Sequence, residues 1–188
     1  MDLVKIAAPE FDADISLAYA TAANFTGKPV YENAICYLHI EAAKALKDAI
    51  ESAENLGYRI RIYDGFRPSE AQWVLWNHTP DPLFLADPRQ GSPHSRGVAV
   101  DLTLTTPDGT PLEMGTAFDA FTPKSYHGNN RISKIAQQNR LMLLGIMTQA
   151  GWDFYRNEWW HYQLFNSQKY PLISDTEIPE QMMPRPEP

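Results

Sequence analysis

The chain has 188 residues, 44% hydrophobic and 21% charged, enough for one domain with a sizeable core. Its 16 basic and 23 acidic side chains give a net charge of −7 with no local basic stripe, which argues against nucleic acid or an anionic membrane as the main partner. The one cysteine, Cys36, forms no internal disulfide, and no apolar run approaches a membrane span or follows a charged leader, so a cytoplasmic protein is expected.

HIEAAKALKDAIESAENLG (39–57) predicts a helix: Ile40, Ala43, Leu46, Ile50 and Ala53 recur at helical spacing, and Gly57 is placed to end it. YRIRIYDG then predicts a half-buried strand, with Tyr58, Ile60 and Ile62 alternating against Arg59, Arg61 and Tyr63. Gly65 and Pro68 bracket a turn holding Phe66 and Arg67. SEAQWVLWNH reads as a helix with Ser69 as its N-cap. GVAVDLTLT (97–105) is a strand with Val98, Val100, Leu102 and Leu104 on one face and Ala99, Asp101 and Thr103 on the other.

Residues 106–130 form a long surface excursion of the kind that often serves a site. A second long helix starts near Ser133 and is closed by Gly151, and EWWHYQLF (158–165) is a short aromatic strand. The Pro-rich IPEQMMPRPEP ends a segment, 170–188, expected to be a loose tail. Helices and strands are mixed without a βαβ repeat. The fold class expected is therefore α+β, a single domain over 1–188 with a central, mainly antiparallel sheet flanked by helices.

Catalytic zinc takes three protein ligands and keeps one position for water. His94, in a loop, and Asp101, in the strand after it, offer an imidazole and a carboxylate; His161 in EWWH is the best third ligand. Glu158 lies three before His161 and would face away on an ideal strand, so it belongs before the strand or at a bulge. There it could take a proton from metal-bound water whose pKa is lowered to about 7. His161 alone reads equally as a partner of the tryptophans. His39, His78 and His127 lack a similarly placed acid and read as structural or surface residues. On spacing, Arg67 is a surface guanidinium or a bridge to Asp64; a fixed cation there could also stabilise oxyanion charge. Phe118 and Asp119 read as helix-start residues, or Asp119 as a partner for a substrate ammonium.

SPHSRGVAVDL matches the Ser-x-His-x-x-Gly-x-Ala-x-Asp signature of zinc D,D-peptidases, and EWWH the downstream Glu-x-x-His element. With YDGFRP, NFTGKP and MGTAFD, the chain from Tyr19 to Leu164 resembles the D-alanyl-D-alanine dipeptidase branch, the type associated with vancomycin resistance. The resemblance implies one zinc per chain on His94, Asp101 and His161, with Glu158 as general base and Arg67 stabilising the developing negative charge. It further implies that Ser92 helps hold the substrate and Asp119 takes its amino group, with Tyr19 and Tyr31 near the pocket. The expected reaction is hydrolysis of the dipeptide D-Ala-D-Ala, with D,D-carboxypeptidase action on longer wall peptides, or a non-catalytic zinc-containing binding domain, as alternatives. The connection from Trp76 to Ser92 is shorter than in resistance-type members, which bears on how the pocket closes.

Overall fold

Alternating apolar side chains build the centre of the molecule, a five-stranded sheet seen in a computed structural model that describes residues 2–185. In chain order the elements are β1 (Leu3–Lys5), β2 (Asp14–Ile15), β3 (Tyr37–His39), α1 (Ile40–Asn55), β4 (Arg59–Asp64), α2 (Ser69–His78), β5 (Ala99–Thr105), α3 (Lys134–Gln149), β6 (Trp152–Phe154) and β7 (His161–Leu164). The sheet runs β2-β4-β5-β7-β6, antiparallel except for the short β2–β4 pair, and β1 pairs with β3 in a separate ribbon. Fold class and element order agree with the α+β expectation.

One face of the sheet carries Ile60, Ile62, Val98, Val100, Leu102 and Leu104, packed with Ala42, Leu46, Ala49 and Ala53 of α1 and Leu143 and Met147 of α3. Ile40 is not part of this face; it lies nearly half exposed at the start of α1. Every residue of β5 is buried, so the opposite face is covered as well. That second face holds the polar residues of β5.

Register decides which polar groups meet there. Directly paired residues on neighbouring antiparallel strands point to the same face. Ile62 pairs with Leu102, but the next pair is Asp64 with Asp101, so Tyr63 is the extra residue of a bulge. The bulge moves Asp64 from the parity of Ile60 and Ile62 to the face of Asp101. Asp101 in turn pairs with His161. The result is a row across three strands, Asp64, Asp101 and His161.

The caps follow their chemistry, with one exception. Ser133 caps α3 by accepting from Ala136 N at 3.0 Å. Ser69 does not cap α2: Pro68 occupies that position, and the Ser69 hydroxyl donates instead to Ile173 O at 3.1 Å. The excursion 106–130 is fastened from beneath by buried Arg140 of α3. Its guanidinium donates to the carbonyls of Met114 at 2.6 Å, Lys124 at 2.9 Å and Tyr126 at 3.2 Å.

The segment expected to be loose is docked as far as it is described; residues 186–188 lie outside the described part. Ile173, Ile178 and Met182 are buried in a second apolar cluster with Val30, Phe66 and Leu75. A capping box at Ser174 and Glu177 shapes the turn, and Met182 O accepts from Glu32 N at 2.8 Å. The Pro-rich composition was a poor guide because the apolar residues between the prolines find a pocket. Met182→Ala should therefore lower stability by about 2–5 kcal/mol, read as a shift of the urea midpoint at unchanged slope. A loose tail would leave the midpoint where it is.

Candidate metal centre and active site

The loop PHSRG ends with Gly97 at φ +69°, where a side chain would run into Leu3 and the backbone of His39. That turn delivers His94 beside the row of acids. His94 Nδ1 donates to Gly65 O at 2.7 Å, which assigns the tautomer and leaves the Nε2 lone pair facing inward. His161 is held the other way round, its Nε2 against Gln163 Oε1 at 3.0 Å, leaving Nδ1 inward.

Three atoms therefore converge: His94 Nε2, His161 Nδ1 and Asp101 Oδ1. They lie 3.1 Å, 3.1 Å and 3.3 Å apart. All are acceptors once both imidazole protons point outward, and three lone pairs facing one another repel unless a cation sits among them. Bonds of about 2.0–2.1 Å to the corners of a tetrahedron place neighbouring ligands about 3.3 Å apart. The donor set thus fits a small divalent ion with a free fourth position.

The three acceptors open onto a cavity of about 200 Å³ that also receives Glu158, Arg67, Ser92, Asp119 and Tyr19. Pockets for drug-sized ligands run to about 300–1,000 Å³, so this one takes something smaller. Every sequence-predicted site residue lies at this cavity except Tyr31, which stands behind it and donates to Asp64 Oδ1 at 2.9 Å. His39 caps α1, accepting from Glu41 N, and His127 packs on Phe154; neither joins the cluster.

Glu158 sits in the turn ahead of β7, as the spacing required, with Oε2 3.8 Å from His161 Nδ1. Burial, reinforced by Asp101 and Asp119, pushes its carboxyl well above the usual range against the pull of Arg67. Burial also opposes ionisation of Asp101; imidazoles protonated toward it would hold that carboxyl below the ordinary value, and with both lone pairs turned inward that role is left to a cation. Asp119 has a left-handed backbone, φ +57°, which Asp tolerates better than most residues. Its Oδ1 accepts from Tyr19 at 3.2 Å, while its buried Oδ2 has no partner among the described residues. Burial first, and then the charge of Asp101, push this acid well up. Ser92 Oγ accepts from His94 N at 3.2 Å and so steadies the ligand loop.

Arg67 is buried, and its fork is held on every side. Nε donates to Asp64 Oδ2 at 2.8 Å and Nη1 to Gln72 Oε1 at 2.9 Å, while Nη2 lies 3.5 Å from Asp101 Oδ2. The bridge to Asp64 and the place at the cavity coexist. Sequence reasoning passed over Asp64 as a site residue, and Gln72 and Gln163 altogether. Only Asp64 carried a signal: an acid at the parity of Ile60 and Ile62, where an unbulged strand would bury it among the helices. Asp64→Asn should cost about 3–5 kcal/mol, because it strips the buried guanidinium of its main counter-charge. Urea denaturation of the metal-free variant against the parent protein measures this.

Known proteins resemble this chain along most of its length. The Peptidase M15 family model, described as D-Ala-D-Ala dipeptidase, matches residues 1–181. The D-alanyl-D-alanine dipeptidase of Escherichia coli K12 is 42% identical over 174 residues, covering 93% of this chain and 90% of that one. Its counterpart from Enterococcus faecium is 38% identical over 174 residues, with 81% and 86% covered. Among solved structures, the LD-carboxypeptidase LdcB shares the fold, with a TM-score of 0.52 at 19% identity over 89% of this chain and 70% of that one. The family match spans nearly the whole chain, and two dipeptidases align with it at well over a third identity. The chain belongs to the Peptidase M15 family of D-Ala-D-Ala dipeptidases.

Proposed function

We infer that the protein is a zinc dipeptidase that hydrolyses D-Ala-D-Ala to two D-alanines. The observation that carries this reading is the triangle of three inward acceptors opening onto a small cavity that also holds Glu158 and Arg67. Family membership and the names of the dipeptidase relatives support the choice of substrate.

In this reading His94, Asp101 and His161 hold the ion, which when bound supplies a Lewis acid for the scissile carbonyl and lowers the pKa of water to about 7. Glu158 takes a proton from the attacking water as the new C–O bond forms and later gives it to the leaving amine as the C–N bond breaks. Arg67 turns its Nη2 edge toward the carbonyl oxygen as negative charge develops there; Asp64 and Gln72 keep that edge from swinging away. Asp119 receives the substrate ammonium on its otherwise unpartnered Oδ2.

A free ammonium is what matches that carboxylate oxygen. An acylated amine keeps a single N–H and no positive charge, which leaves the buried carboxylate without a counter-charge at a cost of about 1–3 kcal/mol. N-acetyl-D-Ala-D-Ala should therefore be cleaved poorly, and equal kcat/KM for both forms would remove Asp119 from this role.

The assignments separate in a panel read by amine release and by metal content after dialysis against zinc. His94→Ala and His161→Ala should lose the metal. Arg67→Ala should retain it while turnover falls roughly 10²–10³-fold, and Glu158→Gln should retain it with turnover abolished. Full activity in Arg67→Ala would overturn the oxyanion role. Zinc-loaded protein silent on the dipeptide would overturn the function itself.

A further inference from the structure

The connection between α2 and the His94 loop contributes to the lining of the cavity. Four of its residues, Pro82, Phe84, Leu85 and Ala86, form cavity wall together with the residues that bring the three acceptors. The segment is folded on itself rather than splayed. Asp81 O accepts from Phe84 N at 3.1 Å and Leu85 N at 2.7 Å, and Asp81 Oδ1 accepts from Leu83 N at 2.9 Å.

It is tied down on three sides, each beside a different group of the site. On the Glu158 side, Leu83 O accepts from the Tyr155 hydroxyl at 3.1 Å and from Asn157 Nδ2 at 3.2 Å, and Asn157 Nδ2 also reaches the Tyr155 oxygen at 3.2 Å. On the Arg67 side, Gln72 Nε2 donates to Ala86 O at 2.7 Å while the same amide's oxygen accepts from Arg67 Nη1. Buried Gln72 thus spends both ends of its amide on one strut between the wall and the guanidinium. On the Asp119 side, Phe84 stacks on Phe121 with ring centroids 4.8 Å apart and planes 8° from parallel.

We propose that residues 79–91 form a fixed roof that sets the length of the substrate, and that Tyr155, Asn157 and Gln72 are the specificity-determining residues that hold it down. The proposal rests on the dipeptidase reading and adds the device that limits it to two residues. A short connection has little slack, and one tied at Leu83 and at Ala86 cannot lift over a third residue without breaking hydrogen bonds at both ends. Tyr155 and Asn157 act through the backbone of Leu83, and Gln72 through that of Ala86, so none need touch the reacting atoms.

Two variants test this on the full chain. Tyr155→Phe with Asn157→Ala frees Leu83 while keeping the ring of residue 155 that lines the cavity. Gln72→Glu keeps an acceptor for Arg67 but sets a carboxylate oxygen against Ala86 O. The readout is the ratio of kcat/KM for D-Ala-D-Ala to that for the same dipeptide extended by one D-alanine at its amino end. Each variant should lower that ratio about tenfold, through a higher KM for the dipeptide and a gain on the tripeptide. Dissociation constants for the two peptides, measured by calorimetry in a Glu158→Gln background, give the same ratio without turnover. An unchanged ratio by both readouts overturns the roof as a length gate. A silent assay with a shifted binding ratio counts against the proposed reaction and leaves the roof standing.

Discussion

A carboxylate buried in the middle of a central strand costs several kcal/mol unless charge is arranged around it, and the active face of this protein is organised around that cost at Asp101. Four acids face one another across this region, Asp64, Asp101, Asp119 and Glu158, against the single guanidinium of Arg67. Arg67 answers Asp64 directly and Asp101 at 3.5 Å, which leaves negative charge uncompensated in a buried site. Two imidazoles turned with their lone pairs inward add no positive charge of their own. The arrangement is electrostatically incomplete as protein alone, and a dication among the three acceptors would complete it. Stability of the apo fold and affinity for metal are in this sense one property, linked through the same buried charges.

The backbone devices that assemble this face are local and few. One bulge at Tyr63 brings Asp64 round to Asp101, one left-handed glycine turns the chain that carries His94, and direct pairing of β5 with β7 sets His161 against Asp101. The remaining groups arrive on irregular chain, whose position is only as good as its fastening. Arg140 supplies that for the excursion bearing Asp119: a buried cation whose donors are taken up by carbonyls of the excursion itself. The guanidinium also lies over the Trp159 ring at 5.7 Å, next to Glu158 in sequence, so one side chain on α3 steadies the neighbourhoods of two acids at once.

Much of this was legible in the residues. Periodicity located α1, α3, β4 and β5, because those segments bury one stripe or one face and must carry the pattern that does so. Glu158 and His161, three residues apart, would face opposite ways on a regular strand, and the turn ahead of β7 obeys that alternation. What escaped was of a different kind. Gln72, Gln163 and Asn157 act through hydrogen bonds to partners 2 to 74 positions away, and an amide side chain carries no pattern that announces its partner. Ser69 had the composition of a cap but a better acceptor in Ile173 O, from the far end of the chain. The tail was misjudged because proline content reports backbone stiffness, whereas docking depended on where Ile173, Ile178 and Met182 could be buried.

That docking bears on how the protein is made. Ile173 N donates to Ser95 O at 2.8 Å, so the backbone of the loop that presents His94 is braced by chain synthesised some eighty residues later. A nascent chain that has emerged only through β5 carries His94 and Asp101 without His161, without Glu158 and without the brace behind the first ligand. It has two of the three proposed ligands on a partly formed support and no means of closing the set. During translation the protein therefore has no complete site with which to capture metal or cleave peptide, and both become possible only when its last hundredth-and-sixties and seventies residues fold back onto the sheet.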